Sequence, residues 1–429
     1  MTADAIDPLR VELFPAAQRS LRIACVTETW PPEVNGVSLT VARMVEGLQQ
    51  RNHDVQLIRP RQPRHDGVAG AGTSAGSDDE PGATRLAEEP RLHEVLMRGL
   101  PIPRYPNLRM GVPSKRALVK LWALNRPDVV HIATEGPLGW SALQAARHLK
   151  LPVASDFRTN FHAYSKHYGI GWLHKPIMAY LRKFHNATQV TLVPTEALRR
   201  DLESYGFRNV EVVSRGVDTA LFHPARRSEA LRAQWGVRPD DLVVHHVGRL
   251  APEKNLTALV AAWDAIRAVQ PRARLLLVGD GPARADLQAR LPDAIFAGQR
   301  RGTDLAAHYA SGDLFLFPST TETFGNVTTE AMASGVPVVA YDYAAAGQLI
   351  RPGLNGQLAP LDDTAAFVRT ALALAQDTEA RRSQGLAARD TAAALDWTSI
   401  VARLEQSLRR IVHSPAPQEG LSALRAATN

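Results

Sequence analysis

Leu314-Phe315-Leu316-Phe317-Pro318-Ser319-Thr320-Thr321-Glu322-Thr323-Phe324-Gly325-Asn326 runs without a break into Val327-Thr328-Thr329-Glu330-Ala331-Met332-Ala333-Ser334-Gly335. The four apolar residues read as a short buried strand, Pro318 to Asn326 as a loop of turn formers, and Val327 to Ser334 as a helix closed by Gly335. Strand, loop and helix in this order are the unit of a parallel α/β sheet. Glu322 falls on the loop and Glu330 inside the helix, eight positions apart, roughly 12 Å at helical rise. Amides at a helix start are unpaired and face positive potential, so they suit phosphate or sugar oxygens, while carboxylates accept from sugar hydroxyls. Taken alone, the spacing equally fits one glutamate capping the helix and one on its wet face.

The same alternation extends to both sides. Arg22 to Thr27 reads as a strand, Ser38 to Arg51 as a helix and Asp54 to Arg59 as a strand, with further strands at Val129–Ile132, Val153–Asp156 and Gln189–Pro194. A second series holds strands at Leu242–Val247, Arg274–Val278, Leu314–Phe317 and Val336–Tyr341. The pattern predicts two doubly wound, Rossmann-like α/β halves facing a cleft: 21–213 and 214–394, with 1–20 as an extension and 412–429 as a flexible tail. Trp397 to Ile411 reads as a last amphipathic helix, and the Gly, Ala, Ser and acid-rich stretch from His65 to Pro90 as a flexible surface excursion. Ligands of such sheets bind outside the carboxyl ends of the strands, so facing halves would share a site.

A chain of 429 residues, 45% of them hydrophobic, has material for two cores. Its net charge of +7 suits an anionic partner: nucleic acid, a phosphorylated small molecule or an acidic membrane. Nucleic acid is disfavoured, since zinc spacings, basic heptads and aromatic RNA-binding signatures are missing. Cys25 stands alone, which precludes an internal disulfide, points to a reducing, cytoplasmic setting, and reads as a small buried side chain. Residues 1–20 carry early acids and no apolar segment, unlike a secretory signal, and no apolar run approaches a membrane span. Arg98 to Arg126 contains several Lys and Arg, no acid, and interspersed Leu, Ile, Tyr and Trp. It reads either as a solvated basic face or as a seat on the anionic inner face of a plasma membrane, each basic group there worth about 1 kcal/mol.

Gly248-Arg249-Leu250-Ala251-Pro252-Glu253-Lys254 follows a strand and opens a helix, where two cations could offset the charge of a departing phosphate. Gly36, in Pro31-Pro32-Glu33-Val34-Asn35-Gly36-Val37, would let backbone approach a ligand. Gly279-Asp280-Gly281 invites a dinucleotide fingerprint, but Arg284 stands where the third glycine belongs, so it reads as a tight turn and speaks against an oxidoreductase. His131, Asp156, Arg158 and His162 fall at or just after strand ends of the first half, where acceptor-side groups would converge. Metal-ligand spacings are not evident.

With Pro-Ser-x-x-Glu-x-Phe-Gly before it and Ala331-Met332-Ala333-Ser334-Gly335 after it, the glutamate pair resembles the Glu-x7-Glu motif of retaining nucleotide-sugar glycosyltransferases of family 4. Gly248-Arg249-Leu250 with Lys254 is similar to that family's Arg-x4-Lys pair, and the resemblance runs over about residues 21 to 411. It implies a GT-B fold, a last helix crossing back to the first domain, closure over the donor, and metal-independent transfer of a hexose with retention. It gives Glu322 the transferred sugar and Glu330 the ribose. Backbone amides at Phe324, Gly325, Asn326 and Val327 take the sugar and phosphate, Arg249 and Lys254 the diphosphate, Gly36 the pyrophosphate, and backbone near Gly298 the base. The departing phosphate would take the acceptor proton; His131 is the further catalytic candidate, with any assisting acid or base left open. No cofactor is implied beyond the nucleotide-sugar co-substrate. Gly279 to Pro337 looks most like bacterial GDP-mannose-dependent α-mannosyltransferases, which implies GDP-mannose as donor and a glycolipid or surface-glycan hydroxyl as acceptor. A UDP-sugar-dependent diacylglycerol glycosyltransferase is the alternative, and a sugar-nucleotide-binding protein without activity the non-enzymatic one. The chain departs from the pattern at Ala133, where many members carry a second histidine, and at Arg158, where a histidine is frequent.

Overall fold

In the computed structural model, which describes residues 19–33, 36–62, 92–102, 105–158 and 174–413, the apolar runs become two parallel sheets. The strands are β1 (Arg22–Val26), β2 (Asp54–Pro60), β3 (Leu92–Met97), β4 (Gly99–Ile102), β5 (Tyr105–Gly111), β6 (Val129–Ile132), β7 (Val153–Asp156), β8 (Val190–Val193) and β9 (Val210–Val212) in the first half. The second half holds β10 (Val243–Val247), β11 (Arg274–Val278), β12 (Ile295–Gly298), β13 (Leu314–Phe317), β14 (Val338–Tyr341) and β15 (Gln357–Ala359). Their orders are β3-β2-β1-β6-β7-β8-β9 and β12-β11-β10-β13-β14-β15, while β4 and β5 pair as an antiparallel hairpin. Helices cover both faces, which is why β6, β7, β10 and β13 are buried along their whole length. Alternate residues feed opposite cores: Ile23 and Cys25 join one, Ala24 and Val26 the other. Strand order reverses between β1 and β6 and again between β10 and β13, and the loops leaving those four carboxyl ends are the ones that build ligand sites in such sheets.

The helix Trp397–His413 returns to the first half. Ile400, Val401, Leu404, Leu408 and Ile411, spaced on one face, enter the core beside the helix Gly36–Gln50. The two helices meet at backbone distance, since a Cβ on Gly47 would lie 2.5 Å from Val401 Cγ2.

Several elements differ from the sequence reading. The helices start at Gly36 and Asn326, two residues and one residue earlier than expected, and β3, the β4–β5 hairpin, β9, β12 and β15 were not expected. In Arg98–Arg126, the helix Lys115–Leu124 turns Leu118 and Trp122 into the core, where Trp122 Nε1–H donates to Gln56 Oε1 at 3.0 Å. Among the residues of that stretch whose side chains are described, the exposed large apolar groups are Leu100, Met110 and Leu124. The excursion at His65–Pro90, the tail beyond His413 and His162 lie outside the described residues. Among those residues, no helix is long and apolar enough to cross a membrane.

Candidate active site

β13 ends at Phe317, and the chain turns back on itself before the helix Asn326–Ala333 begins. Gly325 makes that turn at φ 90°, a left-handed conformation that disfavours a side chain. Glu322 is thereby held over the helix start, 16% exposed, with its Oε1 accepting from Lys254 Nζ and, at 2.7 Å, from Ser319 Oγ–H. Burial pushes its carboxyl up, but Lys254, Ser319 and the charge of Arg215 outweigh that and hold it below the ordinary value. Lys254 Nζ also lies 5.7 Å from the centre of the Phe317 ring. Arg249 pairs with the buried Glu253, four residues on. Both cations expected on phosphate therefore have carboxylate partners here, and both partners lie at the carboxyl ends of β10 and β13.

Glu330 sits one helical stretch further on and is different electrically. Tyr309 O–H donates to its Oε2 at 2.8 Å, yet burial dominates and raises the carboxyl from 4.5 to about 7. It lines a cleft of about 820 Å³ between the halves, with Asn326, Thr329 and Arg300 on one wall and Thr40 and Arg43 on the other. Arg43 Nη2–H reaches across to Asp218 Oδ2 at 2.8 Å. Gly298 ends β12 at φ 70°, and its carbonyl accepts the Gly279 N–H at 2.9 Å. A second cavity, about 780 Å³, opens beside Arg22, Asp54 and Arg126, at the amino ends of the strands and so away from the ligand-binding edge.

Gly36 meets the second half directly: a Cβ there would be 3.6 Å from Arg215 Nη1 and 3.9 Å from Asn326 Nδ2. Of the acceptor-side candidates, His131, Asp156 and Arg158 do not line that cleft. His131, Asp156 and Arg158 are at most 5% exposed and form an internal triad, His131 Nε2–H and Arg158 Nε–H both donating to Asp156 Oδ2 at 2.9 and 2.7 Å. Burial opposes the charge on His131, but Asp156 prevails and pushes the imidazole up to about 10. The same partners hold Asp156 below its ordinary value against burial. His131 braces Asp156 and through it Arg158, whose carbonyl accepts Thr323 Oγ1–H from the loop after β13 at 2.9 Å. Arg215, Glu253 and Tyr309 were missed in the sequence. Arg215 stands in Ser214-Arg215-Gly216 between Glu211 and Asp218, and nothing in that spacing marks it.

Two parallel sheets whose switch points face one cleft, with carboxylates, cations and helix amino ends gathered there, are the architecture of a GT-B glycosyltransferase. The sequence matches Glycosyltransferase Family 4 over residues 34–221 and Glycosyl transferases group 1 over residues 241–377. The chain belongs to glycosyltransferase family 4. It is 36% identical, over 380 residues, to a GDP-mannose-dependent alpha-mannosyltransferase of Mycolicibacterium smegmatis, covering 88% of this chain and 94% of the relative. A protein with the same description from Mycobacterium tuberculosis is 36% identical over 378 residues, 88% of this chain and 93% of the relative. Among solved structures, Anabaena Alr3699/HepE in complex with UDP superimposes with a TM-score of 0.70 at 19% identity, covering 91% of this chain and all of that one; it shows the shared fold.

Proposed function

We propose that the protein transfers mannose from GDP-mannose to a hydroxyl of a lipid-linked or surface-glycan acceptor, with retention and without a metal ion. The observation that carries the reading is the Glu322–Lys254 pair over the amino end of the helix that presents Glu330 to the cleft; the donor follows from the relatives. The donor sugar's hydroxyls would take over Glu322, releasing Lys254 to the diphosphate beside Arg249. The bond from the sugar's anomeric carbon to phosphate oxygen breaks with its electron pair going to phosphate. The acceptor oxygen bonds to that carbon on the same face, and its proton passes to the departing phosphate. Cations fixed beside that phosphate stabilise the charge as it grows, which supports metal independence.

Thermal stabilisation tests the donor. At a hundredfold excess over Kd a ligand adds about 2.7 kcal/mol, so GDP is expected to raise the melting temperature clearly and UDP and ADP little. Preference for UDP would move the reading to the diacylglycerol glycosyltransferase. The ribose adds a pH signature. Glu330 accepts from two ribose hydroxyls best as the carboxylate, so donor binding favours loss of the proton wherever the empty site holds one. With the empty-site carboxyl at about 7, affinity for GDP-mannose is expected to fall about tenfold from pH 8 to pH 6, and Glu330→Gln to flatten that dependence. The empty protein behaves oppositely: the raised carboxyl favours folding below its unfolded value of 4.5, and the advantage is lost as pH rises through about 7. A pH-independent donor affinity in the unmodified protein would remove Glu330 from the ribose.

Peripheral attachment belongs to the same reading, resting on the exposure of Arg98, Arg116 and Lys120 and of Leu100, Met110 and Leu124. Arg116→Glu with Lys120→Glu is expected to weaken retention by anionic vesicles severalfold; unchanged retention would end it.

A further inference from the structure

Arg215 lies on the connector between β9 and the second sheet and is 4% exposed. Its Nη1–H reaches Asn326 Oδ1 at 3.4 Å, while Nε and Nη2 have no hydrogen-bond partner among the described residues. The Phe324 ring lies 5.8 Å from the guanidinium carbon. Gly36 leaves open the space next to Nη1, which a Cβ would enter at 3.6 Å. Three separate parts of the chain thus converge: the amino end of the helix Gly36–Gln50 from the first half, the amino end of the helix Asn326–Ala333 from the second, and a cation from the segment that joins them. Both helix ends direct positive potential at the gap.

A guanidinium buried with idle donors is unfavourable unless an anion meets it. The charges around Arg215 show that anion to be absent from the chain's own described residues. Lys254 is matched by Glu322, and Asp156 answers the charges of both His131 and Arg158. Arg249 is neutralised by Glu253. Within this group, the positive side chains His131, Arg158, Arg215 and Lys254 face the carboxylates Asp156 and Glu322, and the excess is the charge of a diphosphate ester. Burial and Arg158 weaken the hold of Arg215 on its proton, lowering it to about 9, with Glu322 and Asp156 opposing; it remains charged at neutral pH and would gain from a further anion.

We infer that Arg215 is a third phosphate-binding cation, which grips the donor's diphosphate from the interdomain connector and so makes the ligand's charge a tie between the two halves. The inference rests on the donor-site reading above. A planar guanidinium suits two phosphate oxygens at once, and its Nε and Nη2 are the pair left open. The nucleoside part of the donor gains nothing from Arg215, so the effect is confined to the phosphates.

Calorimetric titration of the full chain with guanosine, GMP and GDP separates these contributions. Arg215→Met is expected to weaken GDP binding about 10- to 100-fold, the weight of charged hydrogen bonds, and to leave guanosine binding within a factor of two, while Arg215→Lys recovers part of the loss. The ligand-free melting temperature of Arg215→Met is expected to stay at or above that of the unmodified protein, because an under-paired buried charge is removed. Equal loss for guanosine and GDP, or a lowered ligand-free melt, would make Arg215 structural and overturn the inference. Unchanged GDP affinity in Arg215→Met would overturn it alone, with the donor site intact. An unmodified protein that binds neither GDP nor UDP would overturn both.

Discussion

Glu322→Gln is expected to lower sugar transfer by about 10³-fold while the protein keeps its fold and binds GDP within tenfold of the unmodified affinity. The substitution preserves shape and removes charge. On the proposed reading the carboxylate is the group that a sugar hydroxyl would address in place of Lys254 Nζ, and Lys254, Ser319 and Arg215 keep it ionised through the neutral range despite burial. An amide at that position donates as well as accepts, so it misreads the hydroxyl and leaves Lys254 without its counter-charge. At 16% exposure of both side chains, that loss is expected to reduce stability by about 1–3 kcal/mol, short of unfolding the domain. The measurements are transfer of labelled mannose from GDP-mannose, GDP titration and a melt of the same preparation. Turnover within tenfold of the unmodified enzyme would remove Glu322 from the site, and a lost fold would show the pair to be structural.

Glu330 gives the internal contrast. Both glutamates bracket one helix start, but Glu322 faces two cations and a hydroxyl, whereas Glu330 has Tyr309 O–H as its partner and is raised by desolvation. One carboxyl is pushed down and the other up, a separation that assigns different work to chemically identical groups. Loss of the first is therefore read in turnover, and loss of the second in donor affinity and its pH dependence.

How far the sequence disclosed this depends on the residue. Strands such as Val129–Ile132, Arg274–Val278 and Leu314–Phe317 were legible because short apolar runs between turn formers have few other uses. β3 and β9 were not, since edge strands half in water read as Leu-His-Glu-Val and Val-Glu-Val and carry no such run. The family resemblance singled out Glu322, Glu330, Arg249 and Lys254, but nothing in a spacing shows that Lys254 rests on Glu322 or Arg249 on Glu253. His131 looked accessible because it is near a strand end. Its partner in register is Cys25, in the middle of a sheet covered on both faces, and that pairing is a tertiary fact. Leu118 and Trp122, four apart on a basic helix, suited lipid or core equally; amphipathic spacing tells which face seeks an apolar surround, not which surround it finds. Arg215 has no periodicity at all, and its meaning comes only from the three chain segments that meet around it.

Gly279→Ala is expected to be the most destabilising single-methyl change at the site, reducing stability by more than about 3 kcal/mol. The residue adopts φ 138°, and a Cβ would stand 1.9 Å from the Gly248 carbonyl oxygen and 2.9 Å from its carbon. Those are backbone atoms, so no rotamer change relieves the clash. Nor can the strands part locally: Gly248 N–H donates to Val278 O at 3.0 Å and Gly279 N–H to Gly298 O at 2.9 Å, stitching together the carboxyl ends of β10, β11 and β12. The Gly-Asp-Gly run that invites a nucleotide fingerprint is used here for close approach of three strand ends. Arg249 follows Gly248, so forcing the strands apart also displaces the loop bearing Arg249 and Lys254, and donor affinity is expected to fall with stability. Gly236→Ala separates strain from clash: that residue is also left-handed, at φ 68°, but a Cβ there meets nothing within 4 Å, and its cost is expected near about 1 kcal/mol. Urea unfolding of both variants against the unmodified protein reads the difference. A Gly279→Ala protein as stable as Gly236→Ala would mean that the β10 and β11 ends do not touch as described, and the placement of both phosphate-side cations would fall with them.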